Sequence, residues 1–147
     1  MRIAIDTNVL IAALTRTGGT SARIVQAWLD GRLEVVASTA TIREAEVVLG
    51  GGWLARIVSP EAIDALLEAL RTRSVLIEQP PQVRDLRLKD PGDLRLVEAA
   101  VSGAARYIVT TDREFLGARG YAGVEFATPA EFWENSANVG LDKGEEA

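Results

Sequence analysis

Two aspartates follow short apolar stretches of the chain, where their carboxylates could hold a metal ion. Asp6 comes directly after residues 2–5, and Asp112 comes shortly after residues 107–109. Such stretches predict buried strands, and the carboxyl ends of parallel strands meet at one edge of a sheet, where ligands bind. Carboxylates gathered there repel one another unless a divalent cation with oxygen ligands lies between them. Taken singly, each aspartate could instead cap a following turn or helix.

Four further acidic residues are candidates for the same cluster. Asp90 and Asp93 stand at the predicted start of a helix, where capping and the helix dipole also explain them. Glu44 and Glu46 both flank the apolar stripe of another predicted helix. Helical spacing does not decide which of the two glutamates faces the sheet edge, and both could lie on a solvated helix face. The residue pattern alone therefore leaves the membership of the cluster open.

The composition limits the chemistry that such a site can perform. The 147 residues include no histidine and no cysteine, which excludes structural zinc sites and catalytic triads built from those side chains. The net charge of −5, from 21 acidic and 16 basic residues, is opposite to the basic surface that nucleic acids usually bind. A cluster of carboxylates neutralised by bound cations would account for much of this acidic excess.

The elements that must position these residues alternate along the chain. Apolar runs predict strands, and apolar residues at helical spacing predict helices. The predicted strands are 2–5, 33–37, 75–77, 107–109 and 124–127, and the predicted helices are 21–29, 39–49, 59–70, 93–101, a turn at 112–116 and a last helix that starts near 128–131. This order predicts an α/β fold, a three-layer α/β/α sandwich with a central, mostly parallel sheet of about five strands.

The chain is predicted to form one domain. Residues 1–134 have the length and composition of a single globular unit. Residues 135–147 are small, polar and acidic, so we expect a disordered C-terminal tail. No apolar run approaches the length of a membrane span, and the N-terminus has no signal-peptide pattern. The sequence therefore predicts a cytoplasmic protein without a membrane contact.

Four blocks in order along the first 133 residues give the chain a family resemblance. They are IDTNVLI at 5–11, a block at 38–49 with an acidic residue six positions after Ser38, DPGD at 90–93 followed by a helix, and VTTDREFL at 109–116. With these blocks the chain resembles the PIN-domain ribonucleases, and in particular the VapC-like toxins of toxin–antitoxin systems. Thr111 and Glu114 depart from the family pattern, which often has glycine and aspartate at those positions.

The resemblance implies a set of site residues. It selects Glu44 over Glu46 and makes the metal ligands and catalytic residues Asp6, Glu44, Asp93 and Asp112. Asn8, Thr110 and Glu114 would support these carboxylates. Ligation by oxygen alone points to Mg²⁺ or Mn²⁺ as the cofactor.

The resemblance also implies a reaction and partners. The bound ions would activate a water molecule for hydrolysis of RNA phosphodiester bonds. Three arginines that neighbour the motifs, Arg16, Arg43 and Arg113, are candidates for substrate binding. A small antitoxin would bind over the cleft, and the protein would form a homo-oligomer, most simply a dimer.

Two other functions remain compatible with parts of the pattern. A phosphatase of the haloacid-dehalogenase type also has an aspartate after its first strand, but it needs a second aspartate at the position of Asn8. A PIN-like domain could also serve as a binding module without catalysis. The intact acidic set argues against this second alternative, because a site that has lost its metal has no reason to retain the repulsion.

Overall fold

The computed structural model describes residues 1–137, with side chains through Asn135. The elements in order are β1 Arg2–Ile5, α1 Thr7–Thr15, α2 Thr20–Leu29, β2 Glu34–Ser38, α3 Thr39–Leu49, a 3₁₀ turn Leu54–Arg56, α4 Pro60–Arg73, β3 Val75–Ile77, α5 Pro91–Ser102, β4 Tyr107–Val109, α6 Arg113–Ala118, β5 Gly120–Tyr121, β6 Val124–Ala127 and α7 Pro129–Ala137. Within this part of the chain, no helix has the length and apolar character needed to cross a lipid bilayer.

The six strands form one sheet in the order β3-β2-β1-β4-β6-β5. All neighbouring pairs are parallel except β5 and β6. The chain leaves β1 for β2 on one side and later returns to place β4 on the other side. The strand order therefore reverses between β1 and β4, and in open α/β sheets ligands bind beside the carboxyl ends of the strands at such a point.

The sheet is covered on both faces, which confirms the predicted three-layer sandwich. Side chains of β1 alternate between the faces: Ile3 and Ile5 belong to one buried cluster and Ala4 to the other. The first cluster includes Val9, Ile24, Leu49, Leu66 and Phe132 from α1, α2, α3, α4 and α7. The second includes Val97 from α5 and Phe115 from α6. Because helices cover both faces of the sheet, ligands can reach it at the ends of its strands.

The structure adds three features to the predicted elements. Residues 7–15 form helix α1, the two-residue strand β5 brings the sheet to six strands, and α7 continues to Ala137. The rest of the predicted tail, 138–147, lies outside the described residues. Trp53, for which core packing is the simpler expectation from sequence, is 47% exposed, whereas Trp28 is buried.

Candidate metal-binding active site

The ends of β1 and β4 lie side by side and are joined through one hydroxyl group. The Asp6 N–H donates to the Val109 carbonyl oxygen at 3.0 Å. Thr110, which is fully buried, donates its hydroxyl proton to Asp6 Oδ2 at 2.8 Å. The same Oγ1 accepts the N–H of Asp112 at 3.0 Å. The Thr110 hydroxyl thus fixes the Asp6 carboxylate and the backbone of Asp112 relative to each other.

Asp112 caps the helix that follows it. Its Oδ1 accepts the N–H of Glu114 at 2.8 Å at the start of α6. This is the structural role that its position in the sequence suggests, and it engages one of the two carboxylate oxygens. Capping and metal ligation are therefore compatible at this residue.

The segment Asp90–Asp93 begins α5 at the same edge. Asp90 caps the helix, because its Oδ1 accepts the N–H of Gly92 at 2.8 Å. Asp93 lies in the first turn and is half-buried. Its N–H donates to the Asp90 carbonyl oxygen at 3.1 Å. Asp90 is exposed, so of the two it is Asp93 that lies partly enclosed by its surroundings.

Glu44 reaches the edge from α3 and lies against the start of α5. A methyl group in place of the Gly92 hydrogen would overlap Glu44 Oε1 and would lie 3.0 Å from Glu44 Cδ. Glu46, two residues further along the same helix, instead accepts a hydrogen bond from Arg71 at 2.7 Å. Helix α3 therefore brings Glu44, and not Glu46, to the acidic cluster.

The carboxylates influence one another's ionisation. Burial is the largest cause that raises the pKa of Asp93 to about 7, and the negative charges of Asp6, Asp112, Asp90 and Glu44 add to it. Burial likewise raises the pKa of Asp6 against the hydrogen bond from Thr110, with contributions from Asp112 and Asp90. For Glu44 the pKa is raised by burial and then by Asp90 and Asp6. The four predicted ligands and Asp90 thus form one electrostatic unit.

This donor set fits a hard divalent cation. All of its ligating atoms are oxygens, and positive charge among them would relieve both the burial cost and the mutual repulsion. A cavity of about 20 Å³ reaches Asp6 and Glu44, but its lining is mostly apolar and includes neither Asp93 nor Asp112. Within residues 1–137, however, no three acidic side chains are arranged to ligate the same ion as they stand. The residues are neighbours in an open cluster, and side-chain rotation would have to complete a coordination shell.

The other predicted residues differ in how near they lie to the cluster. Arg43 and Arg113 are exposed and adjoin Glu44 and Asp112 in sequence, and Asn8 is exposed in the first turn of α1. Arg16 follows the far end of α1, about 15 Å along the helix axis from Asp6 at 1.5 Å per residue. The structure therefore does not bring Arg16 to the acidic cluster.

Glu114 has a partner outside the cluster. Its Oε1 accepts the backbone N–H of Lys89, so its carboxylate ties α6 to the loop that precedes α5. Neither this loop nor Gly92 is among the site residues predicted from the sequence. The small residue in the DPGD block is the signal that could have identified Gly92, because close approach of another side chain needs a residue without Cβ.

Comparison with known proteins gives one family. A model of the PIN domain matches residues 2–114, a range that contains all four predicted ligands. Among solved structures, this chain superimposes with a TM-score of 0.56 on a chain of VapBC2 from Rickettsia felis. That structure is of VapBC2 bound to a DNA fragment from its promoter. The two sequences are 13% identical, and the match covers 86% of this chain and 98% of that chain. At this identity the likeness is one of fold. No curated protein matches the chain.

Proposed function

The chain belongs to the PIN domain family, and from that premise we propose that it is a metal-dependent ribonuclease that hydrolyses phosphodiester bonds in RNA. The observation that carries this proposal is the meeting of Asp6, Glu44, Asp93 and Asp112 from four separate parts of the sequence at one sheet edge. An α/β sheet has many polar positions at its rim. A mutually repelling group at the point where strand order reverses is better explained by a cation than by folding stability.

The chain's own residues would divide the work as follows. Asp6, Glu44, Asp93 and Asp112 would hold one or two Mg²⁺ or Mn²⁺ ions, which supply a water molecule of lowered pKa and positive charge for the phosphate oxygens. Thr110 holds Asp6 in one orientation through its hydrogen bond. Asp112 keeps one oxygen on the α6 backbone and has the other for the site. Asn8 would hydrogen-bond a ligand carboxylate or bound water, and Arg43 and Arg113 would contact substrate phosphates.

The experiment that tests this function is cleavage of single-stranded RNA by the purified protein and by Asp6→Asn with Mg²⁺ present. We expect cleavage by the wild type only. The Asp6→Asn loss should exceed the roughly 10–100-fold typical of residues that merely orient a metal ligand. Parallel reactions with single-stranded DNA and with a small phosphomonoester decide the substrate class. Release of phosphate from the monoester without RNA cleavage would favour the phosphatase alternative, and inactivity on every substrate would favour a binding module.

The proposal includes two protein contacts. As the toxin of a toxin–antitoxin pair, the protein would be inhibited by a small antitoxin that covers the acidic cleft. It would also associate with a second copy. Val47 and Trp53 support self-association because they are 74% and 47% exposed. Exposed large apolar side chains are typical of protein interfaces.

A further inference from the structure

The connection between β3 and α5, residues 78–90, has neither helix nor strand but is attached to the rest of the molecule. Near its middle, the Val83 N–H donates to Glu98 Oε2 at 2.9 Å. Glu98 is 3% exposed and also accepts a hydrogen bond from Arg95 at 3.1 Å. A buried carboxylate that receives a loop N–H fixes that part of the loop, because breaking the bond would cost the buried group one of its hydrogen bonds.

Two more contacts hold the other half of the connection. The Tyr121 hydroxyl of β5 donates to the Asp85 carboxylate. The Lys89 N–H donates to Glu114, two residues after Asp112. Side chains from α5, β5 and α6 therefore hold the connection at Val83 and Asp85, near its middle, and at Lys89, near its end. Long connections of this kind in compact domains usually serve a function.

The connection has an apolar inner side and exposed charged residues. Val83, Leu86 and Leu88 pack against the second buried cluster. Arg84, Arg87 and Lys89 are exposed, and we call these three residues the cationic track. In the described part of the chain, Arg87 and Lys89 form no ion pair, and Arg84 Nη2 donates only to the neutral side chain of Gln82 at 3.2 Å. The connection also exposes Glu78, Asp85 and Asp90, but among the described residues none of these acids forms an ion pair with the three cations of the track.

We propose that the cationic track binds the backbone phosphates of single-stranded RNA and leads the strand to the acidic cluster. This inference rests on the proposed ribonuclease function and names a part of its substrate site. Lys89, the last residue of the track, directly precedes Asp90, which caps α5, and the Lys89 N–H is bonded to Glu114, two residues after Asp112. The bound ions would neutralise only the cluster itself, so cations beside it would hold the flanking phosphates of the strand. Because Glu98, Tyr121 and Glu114 fix the connection beforehand, little ordering is required when RNA binds.

The test measures RNA binding apart from cleavage. Every protein carries Asp6→Asn so that the RNA stays intact, and the probe is a fluorescent single-stranded oligouridine. Arg87→Gln with Lys89→Gln removes two charges from the track. Arg56→Gln with Arg106→Gln removes two exposed charges elsewhere, and Arg106 precedes β4 and so lies at the opposite edge of the sheet. Thermal unfolding checks that both pairs remain folded.

The expected result is a change in the salt dependence of the Kd. Each lost phosphate contact on a single strand makes the slope of log K against log salt less negative by about 0.7, so the track pair should change it by about 1.4. The control pair should leave the slope unchanged. If the two double variants had the same Kd and the same slope, the proposed role of the cationic track would be wrong, and the ribonuclease proposal would be unaffected. If the parent protein binds no RNA, the ribonuclease proposal fails and the track fails with it.

Discussion

Thr110 shows at the level of single residues how the fold and the site depend on the same atoms. Its hydroxyl group donates to Asp6 and accepts from Asp112, and the side chain is wholly enclosed. The resemblance to the PIN domain predicts a supporting hydroxyl at this position, and the hydrogen bonds observed are those that such a role requires. Loss of these hydrogen bonds should lower both the stability of the fold and the rate of cleavage, and the two effects can be measured separately.

Thr110→Val tests this double role. Without the hydroxyl, the Asp112 N–H loses its acceptor and Asp6 its donor, which should lower the free energy of unfolding by about 1–3 kcal/mol. Cleavage and Mn²⁺ affinity should fall roughly 10–100-fold, as for other residues that orient metal ligands. The measurements are chemical denaturation, kcat/KM and Mn²⁺ titration. Thr110→Ser retains the hydroxyl and should recover most of both properties; equal losses in the two variants would show that only packing matters.

Asp93 should make the stability of the metal-free protein depend on pH. Its pKa is raised from 3.8 to about 7, chiefly by burial and then by neighbouring carboxylates. Between these values the folded state retains a proton that the unfolded state has lost. The free energy of unfolding therefore falls as pH rises through this window, and the loss is complete above the folded-state pKa.

The measurement is thermal unfolding in EDTA at about pH 5 and about pH 8. We expect a lower Tm for the wild type at the higher pH and a smaller difference for Asp93→Asn. Asp64→Asn, on the exposed side of α4, serves as the control and should behave like the wild type. Identical pH dependence in the wild type and Asp93→Asn would mean that folding does not raise the pKa of Asp93.

At the level of elements, the contact between α3 and the start of α5 decides which glutamate joins the site. Sequence periodicity leaves Glu44 and Glu46 equivalent because both flank the same apolar stripe. The family resemblance selects Glu44, and the packing of α3 against α5 explains why: Glu44 meets Gly92, whereas Glu46 meets Arg71 of α4. The crossing of two helices is a non-local feature, so local spacing could not have predicted it.

Gly92→Ala should separate the stability of α5 from the function of the site. Alanine favours a helix over glycine by up to about 1 kcal/mol, so the free energy of unfolding should stay the same or rise. The new methyl group would displace the Glu44 carboxylate, so Mn²⁺ affinity and RNA cleavage should fall. Gly117→Ala on α6, where a methyl group meets no atom within 4 Å, is the matched control. Full cleavage by Gly92→Ala would show that cleavage does not depend on the position of the Glu44 carboxylate.

Strands were more predictable than helices in this chain, for a physical reason. Short apolar runs that end in polar or turn residues gave the bounds of β1, β3, β4 and β6 as observed. Helix α1 was not predicted because residues 9–14 are all apolar and show no polar face. Strand β5 has two residues and exists through its pairing with β6, so no local pattern indicates it.

For the whole molecule, the order of the strands is what brings a scattered set of acids together at one edge. Asp6 and Asp112 could be assigned to one edge from sequence because each follows a strand. Asp93 and Glu44 depended on the resemblance, since helix starts explain acidic residues equally well. The strand order places β1 beside β4, and the helices that flank them then bring in the remaining carboxylates.

Self-association is the prediction that belongs to the whole molecule. If Val47 and Trp53 contribute to a dimer interface, Trp53→Ser should shift the protein towards the monomer in light scattering. RNA cleavage per chain should persist, because Trp53 lies outside the acidic cluster. Leu76→Ser on the edge strand β3 is a control of similar exposure, 46% against 47%. A monomeric wild type, or an unchanged mass for Trp53→Ser, would contradict this interface.

The central claim is that the acidic cluster cleaves RNA with a divalent cation held by Glu44 and its three partners. The most direct test measures RNA cleavage after EDTA treatment and return of Mg²⁺ or Mn²⁺, comparing Glu44→Gln with Glu46→Gln. The two changes remove the same charge from the same helix. We expect no cleavage in EDTA, recovery on return of either ion for the wild type and Glu46→Gln, and a loss greater than about 100-fold for Glu44→Gln. Cleavage that persists in EDTA, or equal activity of the two variants, would contradict the claim.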